Sequence, residues 1–253
     1  MKRILTAAAL IPIAAYAVFW AGEWAFLAVL AAVACLCYRE FDAISAGFGF
    51  GAPGPLGYLL GLALLAYPGD ATLPLIGATL ILLAWSLRAA PDHSLPRAGL
   101  SIAGLLYIFG CWRCAIPLRQ HSPHWLMYGM ALNWVGDAGA YYVGRLFGRH
   151  KMAPRVSPNK SWEGAAASVT TSILLAGGYL LKAVPGVPVW HAIFLTAAAN
   201  VAGQVGDLAE SAMKRGAGVK DSGAMLPGHG GFLDRVDSTL FALPVVYAYL
   251  KLQ

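Results

Sequence analysis

Long apolar runs, separated by short polar or Gly/Pro-rich intervals, cover the chain from end to end. A helix needs roughly 20 mostly apolar residues to cross the hydrocarbon core of a bilayer. On that criterion nine segments are predicted to be membrane helices: 4–20, 25–38, 56–67, 71–87, 98–118, 124–144, 164–182, 189–206 and 236–252. The second and third are short for a full crossing, and either extend into their flanks or re-enter the bilayer. Between the runs, Gly51-Ala52-Pro53-Gly54-Pro55, Tyr67-Pro68-Gly69 and Val184-Pro185-Gly186-Val187-Pro188 carry turn signals and no evident chemistry. The first run follows Lys2 and Arg3, as in a signal peptide. No small-residue cleavage site leads into a polar mature region, so an uncleaved first helix is predicted.

Composition turns this pattern into a fold class. Hydrophobic residues are 58% and charged residues 12% of the 253, and mean hydropathy is +0.62. A soluble domain carries about 25% charged residues. The chain therefore reads as an all-α, polytopic transmembrane helix bundle of about nine spans. Residues 1–130 are almost purely apolar helices, whereas 131–253 also carries two polar loops, 145–163 and 207–237. The net charge of +6 sits between apolar stretches, with no basic arm, which argues against nucleic acid and for membrane topology and anionic head groups. With the N-terminus cytoplasmic, fourteen of the eighteen Lys and Arg fall on the cytoplasmic side and three opposite, with Arg113 inside a span. Both polar loops then face the cytoplasm, as expected for a bacterial inner-membrane protein. Cys35, Cys37, Cys111 and Cys114 all lie in apolar stretches without His or carboxylate at ligand spacing, and read as small buried hydrophobes.

The acidic residues locate the chemistry. There are only twelve, and Asp207, Glu210, Asp221, Asp234 and Asp237 fall within 31 residues, while Asp137 and Glu163 flank the other loop. Ionisable groups are costly at membrane depth and mark function there. Asp207, Ser211 and Lys214 share one helical face by their spacing of four and three; the alternative is a solvated helix end in which Glu210 pairs with Lys214. Lys220 and Asp221 precede the run Leu226-Pro227-Gly228-His229-Gly230-Gly231, whose glycines allow positive φ and close approach to a ligand. Its backbone N–H groups could cradle phosphate, or the run could be only a turn. Asp234 and Asp237, with Arg235 between them, open the last span one helical turn apart. Hard carboxylate oxygens of this kind suit Mg²⁺ completed by substrate phosphates. In the earlier loop, Lys160 sits beside Ser157, Ser161 and Gly164 at an expected helix start, where free N–H groups favour phosphate. Arg145 and Arg149 read instead as positive-inside anchors.

These residues carry a family resemblance. The stretch from Ser211 to Asp237, with Lys214-Arg215, Lys220-Asp221, His229-Gly230-Gly231 and Asp234-Arg235-Val236-Asp237, resembles the signature of phosphatidate cytidylyltransferases, also called CDP-diglyceride synthetases. The loop from Asp137 to Gly164, with Ser157-Pro158 and Lys160, is similar to that family too. The specific match covers about 137–237. The resemblance implies transfer of a cytidylyl group from CTP to phosphatidic acid, Mg²⁺ with room for a second cation, and a homodimer in the lipid bilayer. It places Asp207 and Asp234 as metal ligands, with Asp237 as a third candidate. Lys214, Arg215, Lys220, Asp221, His229 and Asp237 are then candidate catalytic residues. Asp137, Ser157, Lys160, Ser161, Ser211, Gly230, Gly231 and Arg235 are candidate substrate contacts. A transporter, a CDP-alcohol phosphotransferase and a CTP-dependent polyprenol or phytol kinase are the competing readings. The first lacks paired broken helices and the second its own aspartate motif, while only the His-Gly-Gly to Asp-Arg-x-Asp run separates the third.

Overall fold

All nine predicted segments are helical in the computed structural model, which describes residues 2–51, 54–225 and 230–253. The helices are α1 (Lys2–Phe19), α2 (Glu23–Gly47), α3 (Pro55–Ala66), α4 (Thr72–Ser86), α5 (Pro91–Gly104), α6 (Cys111–Arg113), α7 (Ala115–His121), α8 (Pro123–Phe147), α9 (Trp162–Ser172), α10 (Gly178–Ala183), α11 (Val189–Gly216) and α12 (Asp237–Lys251). π-helical stretches, Leu105–Gly110 and Ile173–Gly177, join α5 to α6 and α9 to α10. Among the described residues, Glu23–Gly47, Pro91–His121, Trp162–Ala183 and Val189–Gly216 are long and apolar enough to cross a membrane, and α3 and α4 are shorter apolar helices.

Local chemistry explains where several helices start. Pro55 and Pro123 stand at first positions, where the missing N–H costs nothing. The Ser122 hydroxyl accepts from the His124 N–H at 3.3 Å, and the Ser161 hydroxyl from the Gly164 N–H at 3.2 Å, capping α8 and α9. One element was not anticipated: the loop before α9 folds into an antiparallel hairpin, β1 (Lys151–Ala153) with β2 (Ser157–Ser161), in the register Lys151–Ser161 and Ala153–Ser157. Its strands are too short and polar to show the alternation by which strands are recognised.

The chain folds as two compact units. The first comprises residues 1–12, 21–113 and 213–235, and is centred on Tyr38, Phe41, Leu82, Leu105 and Phe109. Arg113, anticipated inside a span, donates there to the Leu64 carbonyl at 2.6 Å and the Gly69 carbonyl at 2.7 Å. It satisfies carbonyls at and just beyond the end of α3. The second unit comprises residues 13–20, 114–212 and 236–253, and buries Trp125, Tyr128, Leu132, Leu180, Leu240 and Leu243. Within it the Tyr128 and Thr196 hydroxyls lie 2.8 Å apart. This partition is by packing, and differs from the division at residue 130, which followed the motifs. Large apolar side chains also face outward, Trp24 at 85% and Leu73 at 79% exposure, as suits lipid-facing surfaces. All four cysteines are free thiols.

Candidate active site

In the second unit a cavity of about 580 Å³ opens among α8, the hairpin, α9, α11 and α12. Its wall carries Asp137 and Arg145 from α8, Lys151 from β1, Lys160 and Ser161 from β2, and Asp207 from α11, so Arg145, read from sequence as an anchor, lines the cavity. The Lys160 ammonium lies 2.5 Å from Asp207 Oδ2, and the Ser211 hydroxyl donates to Asp207 Oδ1 at 3.4 Å. The hairpin explains this pairing across 47 positions of sequence: it folds Lys160 back over the helix that carries Asp207. Lys160 thus sits in β2, one residue before the cap of α9, rather than in the first helical turn. Ser157 lies opposite Ala153 in the hairpin. Asp237 is 7% exposed at the start of α12, where its Oδ1 accepts from the Ser238 N–H at 2.6 Å.

In the first unit the signature loop is organised by two carboxylates. Asp234 stands in a single 3-10 turn, Leu233–Arg235. Its Oδ1 accepts from the Lys214 ammonium, and its Oδ2 from the N–H groups of Ser222 at 2.9 Å and Gly231 at 2.7 Å. Burial alone pushes this carboxyl upward, but the bonds from Lys214, Gly231 and Ser222 outweigh it and hold Asp234 below the usual carboxylate range. The second carboxylate, Glu40 of α2, was not among the sequence candidates. It is 5% exposed and accepts from the Ser222 hydroxyl at 2.7 Å, the Phe232 N–H at 2.9 Å and the Leu233 N–H at 2.8 Å.

The glycines expected to cradle phosphate have a clear local task here. A Cβ on Gly231 would lie 2.3 Å from Glu40 Oε2, and one on Gly223 would lie 2.6 Å from Glu40 Oε1. Gly230 takes the positive φ anticipated for the run, at +80°. Several N–H groups of this loop are thus already directed at carboxylates. Lys214, on one helical face with Asp207 and Ser211, is 7% exposed and Glu210 is fully buried, so this end of α11 is not a solvated one. The Arg215 guanidinium donates to the Val219 carbonyl at 3.0 Å, and Lys220, Asp221 and Arg235 are exposed. His229 lies outside the described residues. Among the described residues no three His, Cys, Asp or Glu side chains gather closely enough to hold a metal ion.

The whole chain, residues 1–253, matches the model of the cytidylyltransferase family. The chain belongs to the cytidylyltransferase family. Relatives of this cytidylyltransferase-family chain bear the name phosphatidate cytidylyltransferase. The Bacillus subtilis protein is 38% identical over 178 residues, which are 69% of this chain and 66% of that one, just under two thirds of its length. The Staphylococcus saprophyticus protein is 33% identical over 195 residues, 74% of this chain and 75% of that one. The Staphylococcus haemolyticus protein is 36% identical over 172 residues, 68% and 66% of the two chains. With its apolar helices, this member of the cytidylyltransferase family is an integral membrane protein.

Proposed function

We propose that the chain transfers the cytidylyl group of CTP to phosphatidic acid, releasing pyrophosphate and forming CDP-diacylglycerol. The observation that carries this reading is the cavity of about 580 Å³ walled by Arg145, Lys151 and Lys160, in a membrane chain of this family. That volume lies within the usual range for small-ligand sites, about 300–1,000 Å³. In the reaction an oxygen of the lipid phosphate bonds to the α-phosphorus of CTP, and the bond to the bridging oxygen of the β-phosphate breaks. The nucleophile is already an anion, so no covalent enzyme intermediate is needed. The protein must instead lower the repulsion between two anions and stabilise the departing pyrophosphate. Lys160, held by Asp207, and Lys214, held by Asp234, are fixed ammonium groups suited to that task.

Asp207 and Asp234 are the carboxylates we assign to magnesium. Their donor atoms are oxygens, as a hard cation requires. Each already faces a lysine, so a cation bound at either would share that carboxylate with an ammonium group. When bound it would add positive charge to the triphosphate oxygens. Cytidylyl transfer should accordingly need divalent metal and stop with chelator. The deciding assay gives purified protein in detergent CTP, Mg²⁺ and either phosphatidic acid or a prenol. Formation of CDP-lipid and pyrophosphate from phosphatidic acid is expected. Phosphorylation of the prenol instead would replace this reading by a lipid kinase.

Lys160→Ala is expected to lower kcat/KM by about 100-fold or more, the scale for losing one preorganised charge contact. The Lys160–Asp207 pair is partly exposed, so thermal stability should shift little. Arg149→Ala, an anchor on the exposed surface, should change turnover only a few-fold. Equal losses would mean that Arg149 also belongs to the site.

The basic-residue bias supports a reading in which both polar loops face the cytoplasm at a bacterial inner membrane. Arg155→Cys and Lys220→Cys, each at an exposed position, test this in a background where the four native cysteines are alanine. Neither should react with an impermeant thiol reagent in intact cells, and both should react after permeabilisation. Labelling of either from outside would reverse the orientation.

A further inference from the structure

The cavity of the second unit carries uncharged amides and hydroxyls besides its lysines and arginine. Asn133, Ser168, Asn200 and Gln204 all line it. Their hydrogen bonds run in one direction. The Ser172 hydroxyl donates to the Leu132 carbonyl at 2.7 Å, so it accepts from Asn200 Nδ2 at 2.9 Å. Asn200 Nδ2 also donates to the Ser168 hydroxyl at 3.1 Å, and Asn200 Oδ1 accepts from Gln204 Nε2 at 2.7 Å. Gln204 Nε2 donates in addition to the Ala165 carbonyl at 3.2 Å. A backbone carbonyl only accepts, so the amide of Gln204 has one orientation, with Oε1 as a fixed acceptor. Among the described residues Gln204 Oε1 takes no hydrogen bond.

Asn133 stands apart from this ladder. It is 4% exposed, and its Nδ2 has no hydrogen-bond partner among the described residues. A buried amide left without a partner is unfavourable and calls for an explanation. The backbone of α11 makes room for it: a Cβ on Gly203 would lie 2.2 Å from Asn133 Oδ1. Asn133 lies one turn along α8 from Asp137, and Gln204 about 4.5 Å along α11 from Asp207. The unused donor and acceptor therefore lie next to the charged wall of the cavity.

We propose that Asn133 and Gln204 form the subsite for the base of the nucleotide, taking a pyrimidine that has both a ring carbonyl and an exocyclic amine. This rests on the reading of the chain as a CTP-using enzyme. Asn133 Nδ2 donates to the ring acceptors, and Gln204 Oε1 accepts from the amine. Uracil would place a carbonyl where cytosine has that amine, opposing two acceptors. A site built to bond a donor group rejects the analogue lacking it more strongly than an apolar pocket rejects one methylene. The ester carbonyls of a diacylglycerol lipid fit less well, because they only accept and would leave Gln204 Oε1 facing another acceptor.

Among the described residues Asn133 makes no side-chain hydrogen bond, so Asn133→Ala should fold with an unchanged thermal midpoint. It is expected to raise KM for CTP by roughly 10- to 100-fold, the equivalent of one lost hydrogen bond to a buried partner, and to leave KM for phosphatidic acid within two-fold. Calorimetric binding of CTP, with no lipid present, should weaken by the same factor in Asn133→Ala and in Asn133→Asp. The parent should bind CTP at least about 100-fold more tightly than UTP. Equal binding of CTP and UTP by the parent would overturn the subsite even in an active enzyme. So would a change in the lipid KM alone, or unaltered CTP binding in both variants. Failure of the proposed reaction shows itself separately, as selective CTP binding by the parent without CDP-lipid formation from phosphatidic acid.

Discussion

Asp234→Asn is expected to lower cytidylyl transfer by at least about 100-fold, with the protein still folded in detergent. In the parent, one oxygen of Asp234 faces the Lys214 ammonium and the other accepts two backbone N–H groups. Asparagine keeps one acceptor oxygen. Its amide nitrogen must then point at the ammonium or at the two N–H groups, so donor opposes donor on one side. A loss of about 3–5 kcal/mol follows, because the buried Lys214 ammonium loses the counter-charge of Asp234, and a domain of ordinary stability still folds. The chemical loss is larger for two reasons. Lys214 is no longer held by a carboxylate, and one of the two carboxylates assigned to magnesium has lost its charge. Asp207→Asn should behave alike in turnover, and the double variant should be hardly worse than either single one, as when residues act as a unit. Turnover, thermal midpoint and magnesium dependence are the measurements. Near-normal transfer by Asp234→Asn at low Mg²⁺ would remove Asp234 from the metal assignment and shift it to Asp237 or Asp221.

The helices were legible because a membrane demands long apolar runs, and all nine are where the runs lie. The extent of α2 was legible only as one of two alternatives, extension into its flanks, and that is the one the helix takes. The sequence segment stops at residue 38, whereas the helix continues to Gly47 past Arg39, Glu40 and Asp42. Charges inside an apolar helix look like its end until their partners are known, and the partners of Glu40 are about 180 to 190 positions away. The same limit hid the pairing of Lys160 with Asp207 and of Lys214 with Asp234. Each side chain was identifiable by its rarity in an apolar chain, but its neighbour was set by the hairpin and the 3-10 turn. The glycines show how a correct local reading can miss the occupant. Close backbone approach was anticipated at Gly231, and what approaches is a carboxylate of the protein itself. The one available signal for Glu40 was that an ionisable residue in an apolar helix marks function.

Glu40 offers the sharpest test of how the loop is held. Glu40→Ala leaves the Ser222 hydroxyl and the Phe232 and Leu233 N–H groups without their acceptor, each costing about 1–3 kcal/mol where water cannot replace it. Ser222 and Leu233 are buried, so at least two of the three should bear that cost, and a stability loss of about 3 kcal/mol is expected. Glu40 is here a positioning residue. Ser222 and Gly231 bond Asp234 directly, so loosening them should lower turnover by about the same 100-fold as removing the Asp234 charge. Glu40→Gln keeps one acceptor oxygen and should recover part of both effects. Hydrogen exchange separates a clamp from general destabilisation. Amides in 220–235 should exchange faster in Glu40→Ala at temperatures where those of α8 and α12 are unchanged. Parent-like exchange in that loop, together with parent-like turnover, would show that the loop holds its shape without Glu40.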